Sequence, residues 1–299
     1  MLGDPLMQRA LVAALLVGLA APVIGTYLVQ RRLSLLGDGI GHVALTGVAL
    51  GWLVGSFAGL APDALAIPGA VVAAVAGAVV IELVRERGRT SGDVALALLF
   101  YGGIAGGVLL ISQAGGTSAN LMGYLFGSIS TVTWADLWLT VALTAVVLVV
   151  GVGLRTALFA VSQDEEFARA AGLPVRALNL AIAVVAALTV TVAMRVVGLL
   201  LVSALMIVPV AAAQQVTASF RRTMTVAMTV GAVVCVGGLA ITYWNDVSPG
   251  ATIVVLAIAV YAAFALARPA MRRLRGAVER EDPHPAVDDD VQLALGGGR

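Results

Sequence analysis

Nine stretches of mostly apolar residues follow one another along the chain: 6–29, 39–60, 65–84, 94–112, 134–153, 177–194, 196–213, 224–243 and 251–267. Each is close to the roughly 20 residues that a helix needs to cross a bilayer. Hydrocarbon offers no partner to a backbone N–H or C=O, so stretches of this kind must satisfy those groups internally, as helices. The sequence therefore predicts an all-α, polytopic membrane helix bundle of eight to nine crossings, with one transmembrane domain over 1–275. The count stays at eight to nine because 177–194 and 196–213 are short and only Arg195 parts them, which leaves room for one broken or re-entrant segment. A tenth stretch, 121–129, is too short to cross and reads as a half-helix or a surface piece.

Arginine placement orients the bundle. Arg31 and Arg32, Arg85 to Arg89, Arg155 to Arg176, Arg221 and Arg222, and Arg268 to Arg275 all fall on one side if nine segments cross. That side is expected to be cytoplasmic, with the N-terminus outside and the C-terminus inside. Asp4, Asp63, Asp136, Arg195 and Asp246 mark the charge-poor opposite face, where Trp134, Trp138 and Trp244 read as interfacial anchors. The first segment is not read as a cleaved signal, because its positive cluster follows the apolar run rather than preceding it. From Glu279 the chain turns acidic, and it closes on three glycines and Arg299. Residues 276–299 are expected to form a disordered acidic cytoplasmic tail.

Composition removes several functional classes. Apolar types reach 60% and charged types 12%, against about 45–50% and about 25% in soluble domains. The net charge of +1 and the lack of a basic stripe argue against nucleic acid as a partner. One cysteine, Cys235, excludes a disulfide framework. All 18 basic residues are arginine. Without lysine there is no phosphate-binding loop of the GxxxxGK[ST] type and no Schiff base. An ATP-driven activity would need a separate ATPase chain. An intramembrane hydrolase is disfavoured, since no Gly-x-Ser-x-Gly turn is present.

The chemistry concentrates in the second segment. Asp38 and His42 stand one helical turn apart, and Thr46 extends the same face within roughly 80° of arc. Ionisable groups inside a membrane usually face a cavity or a partner. A carboxylate and an imidazole at this spacing reach one divalent metal, with zinc, manganese and iron all suited to nitrogen plus oxygen ligands. Two ligands do not close a site; a two-fold homodimer supplies four. The competing reading makes Asp38 a helix cap and His42 a hydrogen-bonding neighbour. Gly47, Gly51, Gly55 and Gly59 form a second stripe roughly 160° away, suited to close helix contact.

Between the fifth and sixth segments lies a polar stretch, 162–172. It predicts a short helix capped by Ser162, with Asp164, Glu165 and Glu166 at its positive end and Gly172 and Pro174 stopping it. Exposed Phe167 suits docking onto a cytoplasmic partner. Pro209 predicts a kink, lining a pathway or inert. Glu82 pairs with Arg85 or snorkels. Gly102, Gly103, Gly106 and Gly107 read as packing.

The run Arg31-Arg32-Leu33-Ser34-Leu35-Leu36-Gly37-Asp38, then His42, then Gly47-Val48-Ala49-Leu50-Gly51, resembles the membrane subunits of zinc and manganese ABC importers. The likeness continues through 121–128, 164–172 and 197–209, and it covers about 6–267. It implies a permease with no permanently bound cofactor, carrying Zn2+ or Mn2+ through a bacterial inner membrane. The implied partners are a second copy of the chain, a cytoplasmic ABC ATPase and an extracytoplasmic metal-binding protein. By the same resemblance Asp38 and His42 contact the metal in transit. Asp164, Glu165, Glu166, Phe167, Arg169 and Gly172 belong to the coupling helix that meets the ATPase. The 121–128 block leans toward zinc. Gly41 replaces a common small hydroxyl residue, and Thr46 replaces a common proline. The alternative function is an ion-coupled secondary transporter using Asp38 and His42 as a proton relay.

Overall fold

The computed structural model describes residues 4–60, 64–87, 92–113, 123–127, 132–245 and 247–278. The order is α1 (Pro5–Gln30), α2 (Leu36–Phe57), α3 (Ala66–Arg87), α4 (Gly92–Gln113), α5 (Trp134–Leu148) with a π turn (Val149–Gly153), α6 (Arg155–Gln163), α7 (Glu165–Ala170), α8 (Val175–Val197), α9 (Leu199–Val216), α10 (Phe220–Trp244) and α11 (Pro249–Val278). Among the described residues no strand occurs, and nine helices, all but α6 and α7, are long and apolar enough to span a membrane.

Helix α1 starts where Asp4 accepts the Leu6 amide and proline occupies the first turn, which has no use for its missing N–H. It then runs through the middle of the bundle. Small residues allow this. A Cβ at Gly18 would lie 2.6 Å from the Gly231 carbonyl oxygen, and one at Gly25 would lie 1.7 Å from that of Met206. Helices α10 and α9 thus meet α1 backbone to backbone. Pro22 interrupts the α1 ladder, and the buried Thr26 hydroxyl donates to the Pro22 carbonyl at 2.7 Å. The tyrosine hydroxyl of Tyr27 donates to Gly151 in the π turn. Helices α4 and α11 lie at the periphery, with little of their length buried.

The expected glycine stripe on α2 is real for its first members. A Cβ at Gly47 would lie 2.3 Å from the Gly69 carbonyl, and one at Gly51 would lie 2.1 Å from that of Leu65. Helix α3 therefore packs directly on the α2 backbone. Gly59 departs from the stripe. It lies beyond the helix at φ 66°, faces open space, and closes the C-terminus as Leu60 donates to the Gly55 carbonyl. Helix α2 runs unbroken through Gly41 and Thr46.

The break between the sixth and seventh spans is at Gly198, not at Arg195, which lies inside α8. An arginine is a charge marker, whereas the helix break is a backbone event. Gly198 has φ 93° and Gly127 has φ 73°. Each would place a Cβ 2.5 Å from the other's segment: Gly198 from the Gly127 nitrogen, and Gly127 from the Val197 carbonyl carbon. Of the 121–129 stretch, 123–126 form one helical turn ending at Gly127, and the remainder lies outside the described residues. Helix α11 runs to Val278, slightly past the expected start of the tail. The rest of the tail, including His284, lies outside the described residues.

Gly198→Ala should destabilise the fold by at least about 1–3 kcal/mol, the cost of a strained backbone alone. The apparent melting temperature of the purified protein should fall. Gly237→Ala, whose Cβ would meet only Leu256 at an ordinary 3.5 Å, should leave it nearly unchanged.

Candidate functional site

Two groups of side chains stand out. The first is on α2. Leu35 occupies the N-cap position with no side-chain bond, so Asp38 is not the cap; it lies in the first turn of the helix. A carboxylate there is favoured by the helix dipole. Its Oδ1 lies 3.8 Å from Nε2 of His42, too far for a hydrogen bond. Two metal–ligand bonds of about 2.1 Å each bridge such a gap. His42 is buried, Asp38 is half-open, and the His42 Nδ1 has no hydrogen-bond partner.

Helix α4 forms the wall behind this pair. A Cβ at Gly103 would lie 2.7 Å from the His42 carbonyl carbon. The closeness of α4 brings the Phe100 ring edge-on to the imidazole, with centroids 4.6 Å apart. It also lets the Thr46 hydroxyl donate to the Gly103 carbonyl at 2.7 Å. Thr46 thus extends the face but spends its proton on α4. Gly106 and Gly107 pack against Thr46, while Gly102 meets nothing. Among the described residues no three His, Cys, Asp or Glu side chains cluster. One chain offers two ligands.

The second group surrounds α7. Its cap is Asp164, whose Oδ1 accepts the Glu166 and Phe167 amides, each at 2.9 Å. This corrects the expectation for Ser162. That residue is buried in the last turn of α6 and donates to the Leu158 carbonyl. The helix ends in a Schellman turn. Leu173 donates to Ala168 and Gly172 to Arg169, with Gly172 at φ 79°. Phe167 is 67% exposed, and Asp164, Glu166 and Arg169 are also exposed.

Glu165 turns inward and joins a charge cluster that sequence reasoning missed. Arg31 Nη2 donates to Glu165 Oε1 at 2.9 Å and lies 3.9 Å from Glu82. Arg85 lies 2.8 Å from Glu82 and 3.8 Å from Glu165. Asn179 on α8 donates to Glu165 at 3.1 Å, and Arg176 pairs with Glu86 at the rim. The only sequence signal was the Glu82–Arg85 spacing, which is present as expected. Burial, reinforced by Arg85, pulls the Arg31 guanidinium below its ordinary value, and the two glutamates oppose that shift. A cavity of about 390 Å³ opens beside Glu82, Arg85, Glu165 and Asn179.

The model of the ABC 3 transport family matches residues 3–268. The chain belongs to this family. It is 31% identical over 256 residues to the manganese transport system membrane protein MntC of Halalkalibacterium halodurans, covering 86% of this chain and 85% of that one. It is 31% identical over 255 residues to the chelated iron transport system membrane protein YfeD of Yersinia pestis, covering 84% and 82%. The solved structure of PsaBC from Streptococcus pneumoniae in complex with Fab superposes with a TM-score of 0.78 at 30% identity, covering 92% and 96%. The chain is thus a multi-pass inner-membrane permease of the ABC 3 family. It is a transport subunit rather than an enzyme, and ATP hydrolysis belongs to a separate subunit.

Asp164→Ala should weaken the α7 start by about 1 kcal/mol. Hydrogen exchange at the Glu166 and Phe167 amides should then run roughly fivefold faster. Ser162→Ala should not change it, which mass-detected exchange can check.

Proposed function

We propose that this ABC 3 permease imports a divalent first-row metal ion, passing it between two copies of the chain. The observation that carries the reading is the Asp38–His42 pair: a carboxylate and an imidazole 3.8 Å apart, walled by Phe100, with an imidazole nitrogen left unpartnered. Buried polar atoms are rarely left so. Two copies related by a two-fold axis supply two carboxylates and two imidazoles, enough to hold an ion stripped of most of its water.

The arginine distribution supports an N-terminus outside and a C-terminus in the cytoplasm. On that orientation α7 faces the cytoplasmic ATPase, with Phe167 as its apolar contact and Asp164, Glu166 and Arg169 as its charged rim. Gly172 sets the turn that returns the chain to α8. An extracytoplasmic metal-binding protein delivers to the charge-poor face, and residues 279–299 form an acidic cytoplasmic tail. Manganese stands first as the cargo, because relatives such as MntC are named for manganese and YfeD for chelated iron, and carboxylate ligation suits it. Zinc stands second, supported by the four-ligand set that the dimer would provide.

Asp38→Ala or His42→Ala should cut ATP-dependent uptake of labelled manganese by at least about 100-fold, since loss of even an outer-shell partner costs roughly 10–100-fold. The variants should still assemble with the ATPase. Wild-type uptake by either would sink the site. Competition between manganese and zinc in the same vesicles ranks the two. Uptake by the chain without any ATPase would establish the ion-coupled alternative instead.

A further inference from the structure

Two arginines and two glutamates alternate around one small square. Arg31 closes α1, Glu82 and Arg85 lie at the end of α3, and Glu165 belongs to α7. In the observed pairing, Arg31 holds Glu165 at 2.9 Å and Arg85 holds Glu82 at 2.8 Å. The other two sides of the square, Arg31 to Glu82 at 3.9 Å and Arg85 to Glu165 at 3.8 Å, are each about 1 Å longer. The square is neutral overall. Arg31 is 4% exposed and Glu82 13%, so a stranded charge there would be costly.

We propose that these four residues exchange partners during transport. Arg31, Arg85 and Glu82 are positioning residues that let α7 move between α1 and α3 without unpairing a charge. In the observed state α7 is tied to α1 through Arg31. In the exchanged state Arg31 pairs with Glu82 and Arg85 with Glu165, so α7 is tied to α3. A slide of about 1 Å makes the change, within the usual 1–2 Å range of helix shifts at interfaces. The adjoining cavity leaves room for it. Coupling of this kind needs an element with two discrete arrangements, and a square with two neutral pairings is one.

Both ends of the exchange lead to α2. Arg31 opens the turn that runs directly into α2 and Asp38, and the next residue, Arg32, sits at φ 58°, a strained backbone for a side chain of that size. Helix α3 touches the α2 backbone at Gly47 and Gly51. A change in which helix holds α7 is therefore felt by the helix that carries Asp38 and His42. This inference rests on α7 being the helix that meets the ATPase.

The test uses the whole complex in proteoliposomes and reads metal ions transported per ATP hydrolysed. The variant Arg85→Met with Glu82→Gln removes one member of each sign and leaves the Arg31–Glu165 bond intact. If the square is a static tether, this variant transports like the wild type, and the proposal falls. If partners exchange, the ratio should drop at least about fivefold, the low end of measured site-to-site couplings, while ATP hydrolysis continues. Should that variant fail to assemble, Glu82→Gln alone reads the same ratio, with a drop expected and a wild-type value overturning the idea. A thiol-to-amine cross-link from Phe167→Cys to the ATPase is measured alongside; the native Cys235 is fully buried. Loss of the cross-link removes the docking role of α7 and the exchange with it. A retained cross-link with an unchanged ratio removes the exchange alone.

Discussion

The close approach of three backbones holds the candidate site together. Helix α2 lies between α3 and α4, and each neighbour reaches its main chain as well as its side chains. On one side Gly47 and Gly51 admit the α3 carbonyls of Gly69 and Leu65. On the other, Gly103 admits the main chain at His42 and Val43. Without bulky side chains between them, the helices gain dispersion contacts along their length, the main source of helix association where water exclusion adds nothing. The same approach delivers Phe100 to the edge of the imidazole and fixes Thr46 to α4. The geometry of Asp38 and His42 is thus a consequence of missing side chains on two other faces.

A second constraint acts at the end of the bundle where α1, α3, α7 and α8 converge. Arg31 and Glu82 there are largely withdrawn from solvent, and the four charges of the cluster neutralise one another. Buried charge pairs are weak evidence for stability but strong evidence that their members cannot be separated cheaply. They tie α7 to α1 through Arg31 and bring it beside α3 at Arg85. Exposed Phe167 and the acidic cap project from the other side of that short helix. One helix turn therefore presents Phe167 and an acidic cap outward and an electrostatic grip inward.

Much of this was legible in advance, for particular reasons. The apolar runs were legible as eight to nine helical spans, because hydrocarbon forbids unpaired backbone. Asp38 and His42 were legible because an ionisable pair one turn apart is rare inside an apolar segment. The position of α7 was legible from its polar composition and its Gly172 stop. Its cap was not, because Ser162 and Asp164 are both good caps and α6 consumes Ser162. Gly198 was hidden beside a more conspicuous arginine, since positive φ leaves no mark on composition. The Arg31–Glu165 bond was invisible because it joins residues 134 apart in the chain.

Local chemistry, then, settled what every segment had to be: apolar length made helices, glycine spacing made contact faces, and the absence of lysine placed ATP hydrolysis in another chain. Which segments meet was decided only in three dimensions. Contacts between Gly127 and Gly198, between Gly103 and His42, and among Arg31, Glu82, Arg85 and Glu165 depend on packing of distant helices. A periodicity describes one helix face at a time, whereas a site is made where several faces converge.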